Sequence, residues 1–242
     1  MACVGALGIG VSKSGLPGVS LLHVVLFAHL FPGLRSTGVV LPMLVAGDIG
    51  AVLLFRRHAQ WGHVIRTLPP ALVGVGAGWA VMRAHPGLDW NRVIGGIVLG
   101  LALMQLMRNA WPRLWADVPQ SRGFALAMGL TAGVTTMVAN AAGPVMALYL
   151  LAVALPKDAF VGTAAWFFLM INVLKLPFSA HLGFITGPSL LLNALLVPVI
   201  VLGLFAGRWI TARIPQRWFD TLVLAFAMFA SARWLGLVPG LR

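Results

Sequence analysis

The feature that most constrains this chain is a series of long apolar stretches from which charged side chains are nearly absent. Of its 242 residues, 60% are hydrophobic and 9% are charged, and glutamate does not occur. Because a soluble domain carries about 25% charged residues, this chain cannot cover a water-facing surface. Its high hydrophobicity also excludes intrinsic disorder. We therefore predict an all-α integral membrane protein that crosses the bilayer several times.

Eight apolar stretches are separated by short joints that hold most of the charges. A bilayer core of about 30 Å is crossed by roughly 20 helical residues, and the ten-residue alternation of barrel strands is absent. The net charge of +12 is explained by loop residues that face anionic lipid, so no nucleic-acid partner is expected. The stretches cover residues 2–30, 36–55, 64–82, 92–111, 123–155, 159–179, 185–211 and 218–236.

Cysteine and histidine usage gives no sign of a metal or a cofactor. The single Cys3 excludes an internal disulfide and a cysteine-rich metal site. The histidine pairs His23/His29 and His58/His63 lack the spacing of a helical zinc pair, and no acid accompanies them. The N-terminus has no basic region before its apolar run, so we expect no cleavable signal peptide.

The first and fifth stretches are too long for one simple crossing. Each has about 30 residues, which as one helix would exceed the bilayer core by about half its thickness. Each also contains helix-breaking residues near its middle: GVSKSGLPG over residues 10–18, and TTMVANAAGP over residues 135–144. We therefore predict that both elements are interrupted, as unwound spans or as re-entrant hairpins. Irregular backbone at membrane depth is tolerated where it lines a cavity.

The two interrupted stretches begin two similar halves of the chain. We predict a first transmembrane repeat over residues 1–112, a linker over 113–122 and a second repeat over 123–242. Glycine, proline and polar positions match at offsets of 124, 125 and 129 residues; the matching pairs are Gly8/Gly133, Gly18/Gly143, Pro32/Pro156, Gly38/Gly162, Asp48/Asn172, Pro69/Pro198, Gly74/Gly203, Gly78/Gly207 and Pro86/Pro215.

The distribution of basic residues favours inverted repeats. If the interrupted elements do not cross, each half crosses the membrane three times, and most basic residues fall on one face, as the positive-inside rule requires. Repeated halves with broken helices are typical of secondary transporters, whose binding site lies where the breaks meet. The favoured cytoplasmic set is Arg56, Arg57, Arg66, Arg108, Arg113, Arg122, Lys157, Arg208, Arg213 and Arg217.

Three charged residues lie within or beside the apolar stretches, where charge is costly. Lys13 in the first break is interpreted as a cation for an anionic substrate, with Ser12 and Ser14 as donors, or as a snorkelling interfacial residue. Asp48 is interpreted as a carrier of the coupling proton or a counter-ion to Lys13 or Lys175, or alternatively as a neutral or lysine-paired structural group. Lys175 either faces the site or lies near a helix end at Pro177.

Two amides complete the predicted binding site. Asn140 stands in the second break beside Gly143, where a half-helix N-terminus offers N–H donors and positive dipole to an anion. Asn140 could alternatively serve only as a helix cap. Asn172 occupies the repeat position of Asp48, three residues before Lys175, and shares a helix face with that lysine.

These segments resemble the sulfite exporter TauE/SafE family, also called the 4-toluene sulfonate uptake permease family. The resemblance rests on GVSKSGLPG, STGVVLPMLVAGDIGAV, RRHAQW, ANAAGPVMALYLLAV and VGTAAWFFLMINVLKLPF, and it extends over nearly the whole chain. It implies a multi-pass carrier of the bacterial inner (plasma) membrane, built from two related halves. It also implies sulfite, sulfonates or other small organic anions as substrates.

The residues leave more than one function open. A secondary anion transporter needs a small anionic substrate, the lipid bilayer and a coupling ion, either proton or sodium; a homo-oligomer is compatible with this composition. An anion channel is the first alternative. An integral-membrane enzyme is the second, but its one nucleophile–base candidate, Ser12 and Lys13, occupies adjacent positions that do not face each other on a helix. A nucleotide-driven pump would need a P-loop, which the sequence lacks.

Overall fold

The structure is a computed structural model, and it describes residues 1–14, 16, 19–31, 33–111, 121–213 and 228. Within these ranges the regular structure is helical, which confirms the predicted all-α class. The eighth apolar stretch, 218–236, apart from residue 228, and almost all of the linker lie outside the described residues. The helices are α1 (Ala2–Lys13), α2 (Ser20–Leu30), α3 (Arg35–Phe55), α4 (Trp61–Ala84), α5 (Trp90–Ala110), α6 (Arg122–Ala139), α7 (Gly143–Ala152), α8 (Lys157–His181) and α9 (Gly187–Arg213).

Six of the described helices, α3, α4, α5, α6, α8 and α9, are long and apolar enough to cross a membrane. Helices α1, α2 and α7 have only 12, 11 and 10 residues. At 1.5 Å per residue, each of these three is shorter than the hydrocarbon core of a bilayer. The chain is therefore a multi-pass membrane protein in which long spans accompany short helices.

The two long stretches are both interrupted, as the sequence predicts. The first is divided into α1 and α2, and the second into α6 and α7, with Asn140 to Ala142 between them. Helix α6 ends because Asn140 adopts a left-handed conformation, with φ of 52°, which turns the chain away from the helix axis. That these elements are unwound spans or re-entrant hairpins in the membrane stays a prediction.

Two helix pairs, which correspond to each other in the predicted repeat, approach each other closely along their backbones. Helix α1 packs along α9, and α4 packs along α6. A side chain at Gly10 would collide with the carbonyl oxygen of Ile200, and one at Gly133 would collide with that of Ala71. Ala71 and Ile200 are 129 residues apart, the offset already found for this part of the repeat. If the two halves correspond as predicted, this packing matches Gly10, rather than Gly8, with Gly133, a shift of two residues in the first element. The repeat and its inversion remain predictions.

One local expectation was wrong. Helix α8 does not end at Pro177 but continues to His181, because a membrane helix surrounded by other helices tolerates the loss of one backbone hydrogen bond. Gly96 and Gly100 on α5 do not pack against another described helix, since no described residue lies within 4 Å of a side chain built at either glycine. The glycine pair Gly129 and Gly133 on α6 does pack closely, against α4.

Candidate functional site

The two helix breaks meet at one cavity. The end of α1 contributes Ser12 and Lys13, and the start of α2 contributes Ser20. Around the second break, Asn140 and Gly143 line the same space. The cavity measures about 60 Å³, which exceeds the roughly 15 Å³ that a cavity needs to hold one water.

Lys13 does not reach towards an interface but pairs with Asp48 inside the bundle. Its ammonium lies 2.6 Å from Oδ1 of Asp48, whose side chain is completely buried. Nδ2 of Asn172 donates a hydrogen bond of 2.7 Å to the other carboxylate oxygen. Asp48 on α3 and Asn172 on α8, which are predicted to match in the two halves, are therefore in direct contact. The ammonium of Lys13 also lies 4.5 Å from the centre of the Phe168 ring, which favours a cation.

Lys175 makes a second buried polar group beside the second break. Its ammonium donates to the carbonyl oxygen and the hydroxyl of Thr136, at 2.8 and 3.1 Å. It also donates to Oδ1 of Asn140 at 2.6 Å, while Nδ2 of Asn140 donates to the carbonyl of Thr37. Among the described residues, every acceptor found for Lys175 is a neutral oxygen. The left-handed turn at Asn140 is thus held from both ends of its amide.

The formal charge balance of these residues is positive. With their ordinary ionisation, Lys13, Asp48 and Lys175 supply two positive charges and one negative charge, and all three lie in or against the walls of this cavity. Uncompensated charge away from water is costly, so a bound anion would stabilise this arrangement. The N-terminal residues of α2 and α7, Ser20 and Gly143, face the same cavity and add the positive ends of two helix dipoles.

Most of the remaining cavity wall is apolar. Leu44, Met146, Ala147, Phe160 and Val161 line it together with Phe168 and small alanines. Polar groups therefore converge on one region of an otherwise hydrophobic pocket, the usual arrangement of a small-molecule site. Such walls exclude water and strengthen the electrostatic interactions of the polar region.

The predicted site residues divide into three groups. Ser12, Lys13, Asn140, Gly143 and Asn172 line the cavity directly. Asp48 and Lys175 lie behind this wall and bind residues that line it. Ser14 lies apart, because its hydroxyl donates to the carbonyl of Val11 and packs where a side chain at Gly207 would stand. The hydroxyl of Ser12 likewise donates to its own helix, at the carbonyl of Ile9.

Sequence reasoning missed three polar residues at this site, Ser20, His23 and Thr136. The hydroxyl of Thr135 bonds the backbone of its own helix, whereas the carbonyl and hydroxyl of Thr136 accept from Lys175. His23 was considered only as a metal ligand, yet it is 1% exposed and lines the cavity. The sequence did contain an indication of His23, because a histidine within an apolar helix just after a break needs a hydrogen-bond partner. In the described part of the chain, no three histidine, cysteine or acidic side chains come together as a metal site.

Comparison with known proteins identifies the family. The family model described as "Sulfite exporter TauE/SafE" matches residues 2–234, almost the full length of the chain. The searches of curated proteins and of solved structures gave no match. The predicted resemblance is therefore confirmed, and the six apolar helices agree with it. The chain belongs to the sulfite exporter TauE/SafE family, a family of membrane transporters.

Proposed function

We propose that this protein is a secondary transporter of small organic or sulfur-containing anions of the sulfite, sulfonate or carboxylate class. The observation that carries the proposal is the net positive polar cluster at the cavity where the two helix breaks meet. The anion binds among Lys13, Asn140 and the N-terminal turn of α7. The repeat offers two related halves whose relative movement exposes this site to either side of the membrane in turn.

Asp48 couples transport to an ion. The substrate and the Asp48 carboxylate both bind the ammonium of Lys13, so they compete for it. Protonation of Asp48 removes the competing charge and frees Lys13 for the anion. A proton fits this site better than sodium does, because the groups bound to Asp48 are an ammonium and an amide NH₂. Both are hydrogen-bond donors, whereas sodium, a hard cation, needs several oxygen ligands.

The protein works in the bacterial inner membrane, with the joints around Arg57 and Arg213 on the cytoplasmic side. This orientation follows from the positive-inside rule applied to two inverted halves. It leaves Arg35, Arg83 and Arg92 on the opposite side of the membrane. The proposal includes both import and export of the anion.

The alternatives are an anion channel and, with less support, a membrane enzyme. A channel needs a continuous passage, whereas the cavity here is small and walled by packed side chains. The enzyme would use Ser12 and Lys13, but Ser12 donates to the carbonyl of Ile9 and Lys13 is paired with Asp48. This geometry leaves the lysine no role as a base towards the neighbouring serine.

The test is uptake into proteoliposomes that contain the purified protein. A panel of sulfite, methanesulfonate, sulfoacetate, acetate and a neutral sugar is offered with and without an inward proton gradient. We expect saturable uptake of at least one anion, accelerated by the gradient, and no uptake of the sugar. Flux that rises linearly with concentration would favour a channel. Absence of flux for the whole panel would contradict the proposal.

A further inference from the structure

His23 is a buried polar side chain that the network of lysines, amides and Asp48 does not use. It lies one turn after the start of α2 and is 1% exposed. In the part of the chain that the structure describes, neither of its two ring nitrogens has a hydrogen-bond partner. Buried polar groups of native proteins are paired in the great majority of cases, so this exception requires an explanation.

The position of the ring suggests the explanation. His23 lines the site cavity, and it also lines a smaller void on the side of Phe27 and Thr37. The imidazole therefore lies in the wall between the two spaces, and its buried nitrogens have no partner among the described residues. The amide of Asn140 lines both spaces too, but its Oδ1 already accepts from Lys175 and its Nδ2 donates one hydrogen to the carbonyl of Thr37, which leaves one amide hydrogen for a ligand.

We propose that His23 is a further substrate-binding residue, which donates a ring N–H to an oxygen of the bound anion. The inference rests on the proposed function, because it places an oxyanion in the site cavity. A neutral imidazole carries one donor and one acceptor. The N–H group of the neutral imidazole can donate a hydrogen bond to the anion without placing another positive charge near Lys13. The second ring nitrogen remains available as an acceptor for water or for a protonated oxygen of the substrate. The first break thus supplies the charge from α1 and a directional donor from α2.

The test compares variants of His23 in the purified full-length protein by titration calorimetry with sulfite and with methanesulfonate. His23→Phe keeps a ring of similar size but has no nitrogen, and we expect it to weaken anion binding about ten- to a hundredfold. His23→Gln retains a donor and an acceptor and should stay within about threefold of the parent. His29 lies on the same helix but is exposed, so His29→Phe is the matched control and should bind as the parent does.

Thermal unfolding without ligand separates binding from structure. Since His23→Phe removes two unpaired buried nitrogens, its melting temperature should equal or exceed that of the parent. His23→Leu is the second nitrogen-free variant if the phenylalanine is not accommodated.

Parental affinity in the nitrogen-free variants would overturn the inference alone. An equal loss of affinity and melting temperature in the leucine, phenylalanine and glutamine variants would overturn it as well, since the role would then be structural. A parent protein that binds neither anion would overturn the proposed function, and this inference with it.

Discussion

Replacement of Asp48 by asparagine should separate anion binding from its coupling to protons. The Lys13 ammonium and the Asp48 carboxylate are 2.6 Å apart, and at an effective dielectric constant of 20 their attraction is on the order of 6 kcal/mol before desolvation is counted. An anion that needs Lys13 must compete with this attraction unless Asp48 is protonated. The asparagine cannot ionise, so it imitates the protonated carboxyl group.

The size of the change in anion affinity with pH follows from the number of protons that must bind. If one carboxyl group must be protonated for the anion to bind, parental affinity falls tenfold for each unit of rising pH wherever the free protein holds Asp48 ionised. Asp48→Asn should abolish this slope and bind the anion at high pH at least as tightly as the parent does at low pH. Anion exchange across the membrane should persist, while accumulation driven by a proton gradient should be lost.

The assay is titration calorimetry with methanesulfonate between pH 5 and pH 9, repeated in proteoliposomes for exchange and for gradient-driven uptake. His23, Lys13 and Lys175 are the other titratable groups around the cavity, so His23→Phe is measured in parallel to isolate the contribution of Asp48. A slope that survives in Asp48→Asn, or parental affinity that is independent of pH, would refute the competition between substrate and carboxylate. Full gradient-driven accumulation by Asp48→Asn would make Asp48 a structural residue.

Three further predictions follow from other contacts. Asn140→Gly keeps the left-handed backbone but removes the amide, so anion affinity should fall about ten- to a hundredfold, and a calorimetric titration at parental affinity would make Asn140 only a cap. Gly133→Ala forces a methyl group against the backbone of α4 and should lower stability by about 1–3 kcal/mol in denaturant unfolding, while Gly96→Ala, which meets no described residue, should have almost no effect. Single cysteines at Arg57 and Arg213, in a background without the native cysteine, should both be protected from a membrane-impermeant reagent added outside; labelling of only one would refute the inverted arrangement.

Much of the architecture could be predicted because the bilayer leaves few solutions. Long apolar stretches without charge must be helices, and breakers within a stretch of about 30 residues must interrupt it. The same reasoning identified Lys13, Asp48 and Asn140 as polar groups that need partners at membrane depth. Their residue types and depth were readable from one sequence because each stands in an apolar run.

The partners themselves could not be predicted from the sequence. Asp48 had two candidate lysines, and only the packing of α3 against α1 and α8 determines that Lys13 is its ion-pair partner while Lys175 turns to Asn140. The periodicity of one helix fixes its own faces but not its rotation relative to its neighbours. The two-residue shift that matches Gly10 with Gly133 has the same origin, since helix contacts rather than residue identity define the register.

His23 was missed for a related reason. A histidine in an apolar run has several ordinary explanations, and only the packed structure reveals that its ring lines a cavity while its buried nitrogens have no partner among the described residues. Thr136 shows a related case, in which the hydroxyl of a threonine accepts a hydrogen bond from a lysine on α8. In both residues the decisive information is the three-dimensional position of a neighbouring helix.

The proposed transport function requires a site that binds small anions because the site carries net positive charge. The most direct test is the affinity of the purified protein for methanesulfonate and for dimethyl sulfone, which has nearly the same shape but no charge. We predict measurable binding of methanesulfonate, loss of at least tenfold in affinity for it in Lys13→Met, and no detectable binding of dimethyl sulfone. Equal affinity for the two compounds, or methanesulfonate binding that is unchanged in Lys13→Met, would contradict the account.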